Sequence, residues 1–255
     1  MANTVLITGA SQGTGKATAL LFARHGYDVI LAARQPERLE QVAAAVRAEG
    51  RQALAVPTDT SDVQRVEMLI QTALDRFGRV DVLVNNAGFY LSGLMQYTPL
   101  DDWHRVMDTN FWGYVHTIQG LLPQFLARGS GSIVNVISFG GATPVPEMIA
   151  FCASKYAVTG LTDTLRLELA PKGIQVCAVH PGVINSNFLE RAIFRGQDAA
   201  QVEERRKQLQ ALVQAPWVSR PEDIADAIWS AVRSGKSEVI VGQPLTATKA
   251  LQVAV

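Results

Sequence analysis

The sequence has little cysteine, little histidine and no excess charge of either sign. Cys152 and Cys177 are the only cysteines in 255 residues, too few for a disulfide framework, and they point to a reduced, cytoplasmic setting. Four histidines, His25, His104, His116 and His180, are scattered without the spacing of metal ligands, so no metal site is expected. Lys and Arg number 23 and Asp and Glu number 23, which leaves no net charge to attract nucleic acid or an anionic membrane. The densest charged run, Glu203 to Lys207, is mixed in sign and reads as a solvated helix face. No apolar run approaches the length of a membrane span, and Met1 leads into Thr4-Val5-Leu6-Ile7 without the marks of a signal peptide. The tail from Leu245 to Val255 is mildly apolar and reads either as a segment docking on a partner subunit or as the cut end of a longer chain.

What is present is 48% hydrophobic residues, arranged in short β-rich runs that alternate with longer amphipathic ones. Val5–Thr8, Val29–Ala33, Ala53–Pro57, Val80–Asn85, Ser132–Ser138, Ile174–Val179 and Glu238–Val241 read as strands. Most are continuous apolar runs, which suits strands covered on both faces. Gly15–His25, Pro36–Glu49, Ser61–Phe77, Leu100–Arg128, Ala150–Ala170 and Pro221–Ser234 read as helices, with Pro36 and Pro221 near first turns and Ser61-Asp62 at an N-cap. The alternation predicts an α/β fold with a parallel, doubly wound sheet. No linker or repeat interrupts it, so one domain over residues 1–255 is expected. Residues 187–216 break the alternation after the sixth strand, read as extra helix, and form the candidate lid over a ligand crevice.

The turn after the first strand is Thr8-Gly9-Ala10-Ser11-Gln12-Gly13-Thr14-Gly15. Its glycines allow close approach of a pyrophosphate, and the following helix N-terminus offers amide N–H groups to the anion. The second strand ends in Ala33-Arg34, with no acidic residue to take the ribose hydroxyls of NAD. Arg34 can instead pair with the 2′-phosphate of NADP, which is the favoured cofactor over NAD; a surface arginine paired with Glu37 is the alternative. Asp59 after the third strand could accept from the adenine amino group or serve as a turn aspartate. Asn86-Ala87-Gly88 and Pro181-Gly182-Val183-Ile184-Asn185-Ser186 close the fourth and sixth strands with residues against which a cofactor can lie. Segments after strands four to six supply apolar walls: Phe89, Tyr90, Leu91, Phe139, Val145, Met148, Phe188, Leu189 and Phe194. They suit an apolar ketone or alcohol. Arg191 and Arg195 in the lid are the available anchors for a substrate carboxylate.

Together, Thr-Gly-x-x-x-Gly-x-Gly, Asn-Asn-Ala-Gly, a serine at a strand end, x-x-Ala-Ser-Lys and Pro-Gly-x-x-x-Ser resemble the short-chain dehydrogenase/reductase family over Thr4 to Val241. The resemblance implies a Rossmann-type sheet of seven parallel strands, an NAD(P)-linked carbonyl/alcohol reaction and a homotetramer or homodimer, assembled through the helices Leu100–Arg128 and Ala150–Ala170. It implies a catalytic set at Asn110, Ser138, Phe151 and Lys155: Ser138 on the substrate oxygen, Lys155 on the nicotinamide ribose, Asn110 on a water in a proton relay. Ser186, for a threonine usual in the family, would contact the nicotinamide carboxamide.

At position 151 the family pattern has tyrosine and this chain has phenylalanine, which carries no ionisable group. Three readings follow, in order of preference. Phe151 is an engineered replacement of tyrosine; or the chain is a non-catalytic NADP(H)-binding pseudoenzyme; or it uses another acid or needs none, as an imine reductase would not. Tyr156 sits about 100° around the helix from Lys155 and reads as a packing residue. Cys152 reads as a buried structural thiol, and His180 as a loop residue.

Overall fold

The computed structural model describes residues 2–242; the apolar tail from 245 onward lies outside the described residues. Strands β1 (Thr4–Thr8) and β2 (Asp28–Ala33) are buried at every position. Continuous apolar runs require this, because both faces must be covered. Side chains alternate across the sheet: Val5 and Ile7 enter one core, Leu6 the other. The first core packs under helices α1 (Gly13–Arg24), α2 (Pro36–Ala48) and α8 (Pro221–Ser234), through Phe22, Leu39, Val42, Ile224 and Ile228. The second packs under α3 (Val63–Phe77), α5 (Gly113–Arg128) and α6 (Ile149–Leu169), through Leu69, Leu121, Phe125, Leu165 and Leu169.

The remaining strands of the main sheet are β3 (Ala53–Pro57), β4 (Val82–Asn85), β6 (Gly131–Val136), β7 (Ile174–Pro181) and β9 (Glu238–Val241). All seven are parallel, in the order β3-β2-β1-β4-β6-β7-β9. This is the Rossmann-type doubly wound arrangement. The chain winds outward from β1 to β3 and then returns to the far side of β1, so the connections leaving β1 and β4 diverge. A crevice opens at their carboxyl ends.

Three parts of the fold differ from the sequence reading. Leu100–Arg128 is not one regular helix. It comprises α4 (Leu100–Met107), a π-helical turn at Asp108–Trp112 and α5, with Pro123 inside the last. One inserted residue leaves the apolar period on either side intact, so the pattern does not reveal it. The insertion after β7 is only partly helical. It holds a 3-10 turn (Asn187–Arg191), strand β8 (Ile193–Phe194) paired in parallel with β5 (Leu91–Ser92), and α7 (Ala199–Leu212). Two-residue strands are too short to leave an alternating pattern. Finally, His180 lies within β7 and is buried, not in a loop.

A closed polar network fixes the centre of the sheet. Asn85 and Asn135 are register partners on β4 and β6. Asn85 Nδ2 donates to Asn135 Oδ1 at 3.0 Å, Thr117 Oγ1 to Asn85 Oδ1 at 2.7 Å, and Asn135 Nδ2 to Thr162 Oγ1 at 2.9 Å. All four residues are fully buried. Removing Asn135 leaves the Asn85 amide without its acceptor. Asn135→Ala therefore lowers the unfolding free energy by about 1–3 kcal/mol from the unpaired donor alone, read as a lower urea midpoint; an unchanged midpoint would show that the network does not stabilise the sheet.

Candidate active site

The crevice is built on the turn between β1 and α1. Thr8 Oγ1 accepts from the backbone N–H groups of Asn86 and Ala87, each at 3.0 Å. Asn86 Nδ2 returns bonds to the carbonyls of Thr8 (3.1 Å) and Gly9 (3.3 Å). Gly9 has φ +65°, and a Cβ there would lie 2.9 Å from Asn86 Nδ2. At Gly15 a Cβ would stand 2.3 Å from the Gly9 carbonyl oxygen, so only glycine lets α1 start this close beneath the turn. The first turn of α1 carries no acidic residue and no side-chain cap. Its amide N–H groups and positive dipole end are therefore left for an anion.

An open cleft of about 1210 Å³ runs from this turn to the base of α6. One end is walled by Gly9, Gln12, Gly13, Thr14, Asn86, Ala87 and Gly88, with Pro181, Gly182, Ile184 and Ser186 opposite. At the other end stand Ser138, Phe151 and Lys155 among Phe89, Phe139, Val145, Met148 and Phe188. Arg34 and Asp59 line a smaller hollow of about 390 Å³ that shares Gly9, Ala87 and Gly88 with the cleft. Arg34 makes no ion pair with Glu37 or any other described residue, while Asp59 Oδ1 accepts from the Ser61 amide (3.1 Å) and hydroxyl (2.7 Å).

Some expected residues fall outside these cavities. Ser11 and Gly15 are buried within the turn. Asn110 lies behind Phe89, in the π-helical turn, with its side chain fully used. Its Oδ1 accepts from Phe89 N (3.0 Å), and its Nδ2 donates to Phe89 O (3.1 Å) and Ser154 Oγ (3.2 Å). Only its main chain is left for a water relay. Leu91 and Phe194 belong to the β5–β8 pairing and its buried packing rather than to the cleft wall. Arg195 cannot anchor a substrate carboxylate, because both Nε (2.5 Å) and Nη2 (3.1 Å) hold the buried Asp102. Tyr156 is 42% exposed and packs no core. Within the charged run of α7, Arg205 is buried against Glu147 and the Arg195 carbonyl, so that run is not wholly a solvated face.

Lys155 is buried, and among the described residues it has no carboxylate partner. Its Nζ reaches Val136 O at 3.3 Å and Tyr114 Oη at 3.5 Å, and it lies 5.1 Å from the Tyr114 ring centroid and 6.0 Å from that of Phe151. Burial without compensating charge lowers its pKa to about 7. Burial also raises the Tyr114 hydroxyl far above the usual phenol range, and that hydroxyl donates to Val136 O at 2.8 Å. Phe151 is packed with Met148, Cys152, Tyr90, Phe139 and Val145. Tyr90 lies nearby, 5.5 Å from Phe151 between ring centroids. Burial raises its hydroxyl to a pKa of about 12. It does not stand in for a hydroxyl on the ring of residue 151.

Ser138 is held in an uncommon conformation, φ +138° and ψ 163°, of a kind that costs about 1–3 kcal/mol for a residue with a side chain. Its Oγ accepts from Gly140 N at 3.4 Å. Its carbonyl meets His180 Nδ1 at 3.3 Å, and His180 Nε2 meets Glu238 at 3.3 Å. His180 therefore braces the serine from the neighbouring strand rather than facing the cleft. Neither this brace nor the support of Asn110 by Ser154 is visible in the sequence, since each joins residues more than 40 positions apart.

The chain matches the model of the short chain dehydrogenase family over residues 3–195. It is 34% identical over 246 residues to a 3-oxoacyl-[acyl-carrier-protein] reductase of Staphylococcus aureus, covering 96% of each chain. It is 38% identical over 190 residues to the Synechocystis protein of that name, covering 74% of this chain and 77% of the other. Among solved structures, a short-chain dehydrogenase from Streptomyces avermitilis superimposes with a TM-score of 0.84 at 33% identity, covering 99% of this chain and 91% of the other. A Sphingobium yanoikuyae short-chain dehydrogenase in complex with NADPH gives 0.79 at 31%, covering 93% and 87%. One from Burkholderia phymatum in complex with NAD gives 0.85 at 28%, covering 93% and 88%. With its parallel seven-stranded sheet and the cleft at the β1–β4 reversal, this chain belongs to the short-chain dehydrogenase family of oxidoreductases.

Proposed function

We propose that the chain binds NADP(H) in this cleft and reduces an apolar ketone, or oxidises the matching secondary alcohol, with turnover held back at proton transfer by Phe151. The observation that carries the reading is that Ser138, Phe151 and Lys155 line one apolar cleft that is continuous with the glycine turn. The residues fit a dinucleotide. The amides of the α1 N-terminus would take the pyrophosphate, Ser186 the carboxamide and Lys155 the ribose. Arg34 and Asp59 lie where the adenosine end would reach, and Arg34, without an ion pair, favours a 2′-phosphate. The structures with NADPH and with NAD show that relatives of this fold take either cofactor.

When bound, the reduced nicotinamide supplies a hydride to the carbonyl carbon; the chain must supply the proton. Ser138 Oγ would hold the carbonyl oxygen. Phe151 offers no proton, and Ser138 alone is a weak acid. The Lys155 ammonium is then the nearest acid in the cleft, and its lowered pKa leaves it partly protonated near neutrality. The apolar wall of Phe89, Phe139, Val145, Met148 and Phe188 suits an acyl chain, as in the 3-oxoacyl reductases to which the chain is similar. Assembly as a homotetramer or homodimer through α4–α5 and α6 is supported by the exposure of Trp112, Ile149 and Tyr156 on those helices.

Restoring the hydroxyl isolates the block. Phe151→Tyr raises NADPH-dependent reduction of 3-oxoacyl thioesters or other apolar ketones by about a hundred- to ten-thousand-fold, while NADPH affinity changes little. Binding by both forms with no turnover by either across such a panel would favour a cofactor-binding module over an enzyme. The residual rate of the chain as it stands also has a sign in pH: Lys155 is charged below its pKa of about 7 and neutral above it. Slow reduction therefore declines as pH rises through 7, and a pH–rate profile flat from 6 to 9 would remove Lys155 as the acid.

A further inference from the structure

We infer that Arg191, carried by the insertion over the cleft, is a second guanidinium of the 2′-phosphate site beside Arg34, so that the insertion grips the adenosine end of the cofactor. This rests on the NADP(H) reading above and names a residue from a different element of the fold. Arg191 ends the 3-10 turn Asn187–Arg191 that follows β7. It is the one residue of the insertion that lines both cavities, the main cleft beside Gln12 and Ser186 and the smaller hollow beside Arg34 and Asp59.

Its chemistry asks for an anion. Arg191 Nε is buried with no hydrogen-bond partner among the described residues. A buried donor left unpaired is costly, and a guanidinium cannot relieve the cost by losing its proton. Burial, and then the like charges of Arg34 and Arg38, press its pKa downward against the opposing pull of Glu190. Glu190 is already shared with Arg38 Nη1 at 3.0 Å, and Asp59 Oδ1 is taken by Ser61. Two guanidinium groups, Arg34 and Arg191, line the smaller hollow against one carboxylate, Asp59, which leaves an excess of positive charge there. A phosphate monoester dianion supplies several acceptor oxygens and the missing charge. Of the other cations of the insertion, Arg195 is held by Asp102, Arg205 by Glu147 and Arg206 by Glu203, and Lys207 lines neither cavity.

The pair 2′,5′-ADP and 5′-AMP differs only in the 2′-phosphate, and titration of each into the full chain and into Arg191→Ala and Arg191→Lys, with folding checked by circular dichroism, tests the inference. The expected result is about ten- to a hundred-fold weaker 2′,5′-ADP binding by Arg191→Ala, partial retention by Arg191→Lys, and unchanged 5′-AMP binding by all three. Equal loss for both nucleotides would assign Arg191 to the 5′-phosphate and overturn the inference, as would no loss for either. If the unaltered chain binds the two nucleotides equally, the NADP(H) reading itself fails and takes the inference with it; discrimination retained in Arg191→Ala overturns the inference alone.

Discussion

Everything in the cleft depends on how β1 and β4 are joined at their carboxyl ends. A parallel sheet that winds outward in both directions must leave a gap between the two diverging connections. Here the gap is held to a fixed width by Thr8 and Asn86, which exchange side chain-to-backbone bonds across it. The tight turn at Gly9, the buried start of α1 at Gly15 and the approach of Gly88 to the Lys155 ammonium all presuppose that spacing. The Asn85–Asn135 network ties the end of β4 to β6 and both to α5 and α6. The floor of the cleft is therefore cross-linked by side-chain hydrogen bonds from β1, β4 and β6 to one another and to α5 and α6.

The chemistry of the site turns on one uncompensated charge. Lys155 is buried with only a carbonyl and a phenol for company, an arrangement that makes physical sense when a ribose hydroxyl and an acidic side chain complete it. Under the proposed function Phe151 stands where that acidic side chain would be, and it packs there without a polar atom. Burial leaves the lysine poised between charge states near neutral pH, and on the same proposal a substrate oxygen would have Ser138 as its nearest hydroxyl. Under the proposed function the groups facing the cofactor come mostly from the ends of β1, β4 and β7, with Lys155 from α6, and the hydroxyl absent from residue 151 would concern the proton alone.

Much of this was legible in the sequence, for identifiable reasons. Continuous apolar runs mark β1, β2 and β7 because these strands are covered on both faces. The glycines at 9, 13 and 15 mark the turn because no side chain fits there. The family pattern then places Ser138, Phe151 and Lys155, which the fold gathers at one end of the cleft. What was not legible depends on long-range packing or on very short elements. The π-helical turn at Asn110 leaves the helical period undisturbed. The β5–β8 pairing has two residues a side. His180 behind Ser138, and Asp102 around Arg195, are partners across 42 and 93 positions. Sequence reading therefore offered Arg195 as an anchor and left His180 in a loop.

The central claim is that the cofactor site is intact although the proton donor is missing. Titrating NADPH and NADH into the chain as it stands, following the cofactor's own fluorescence, tests this without any assumption about substrate. The account predicts saturable binding at one site per chain, tighter for NADPH than for NADH. Absence of saturable binding for either would contradict it, and would mean that the turn, the cleft and the cluster of arginines serve the fold alone.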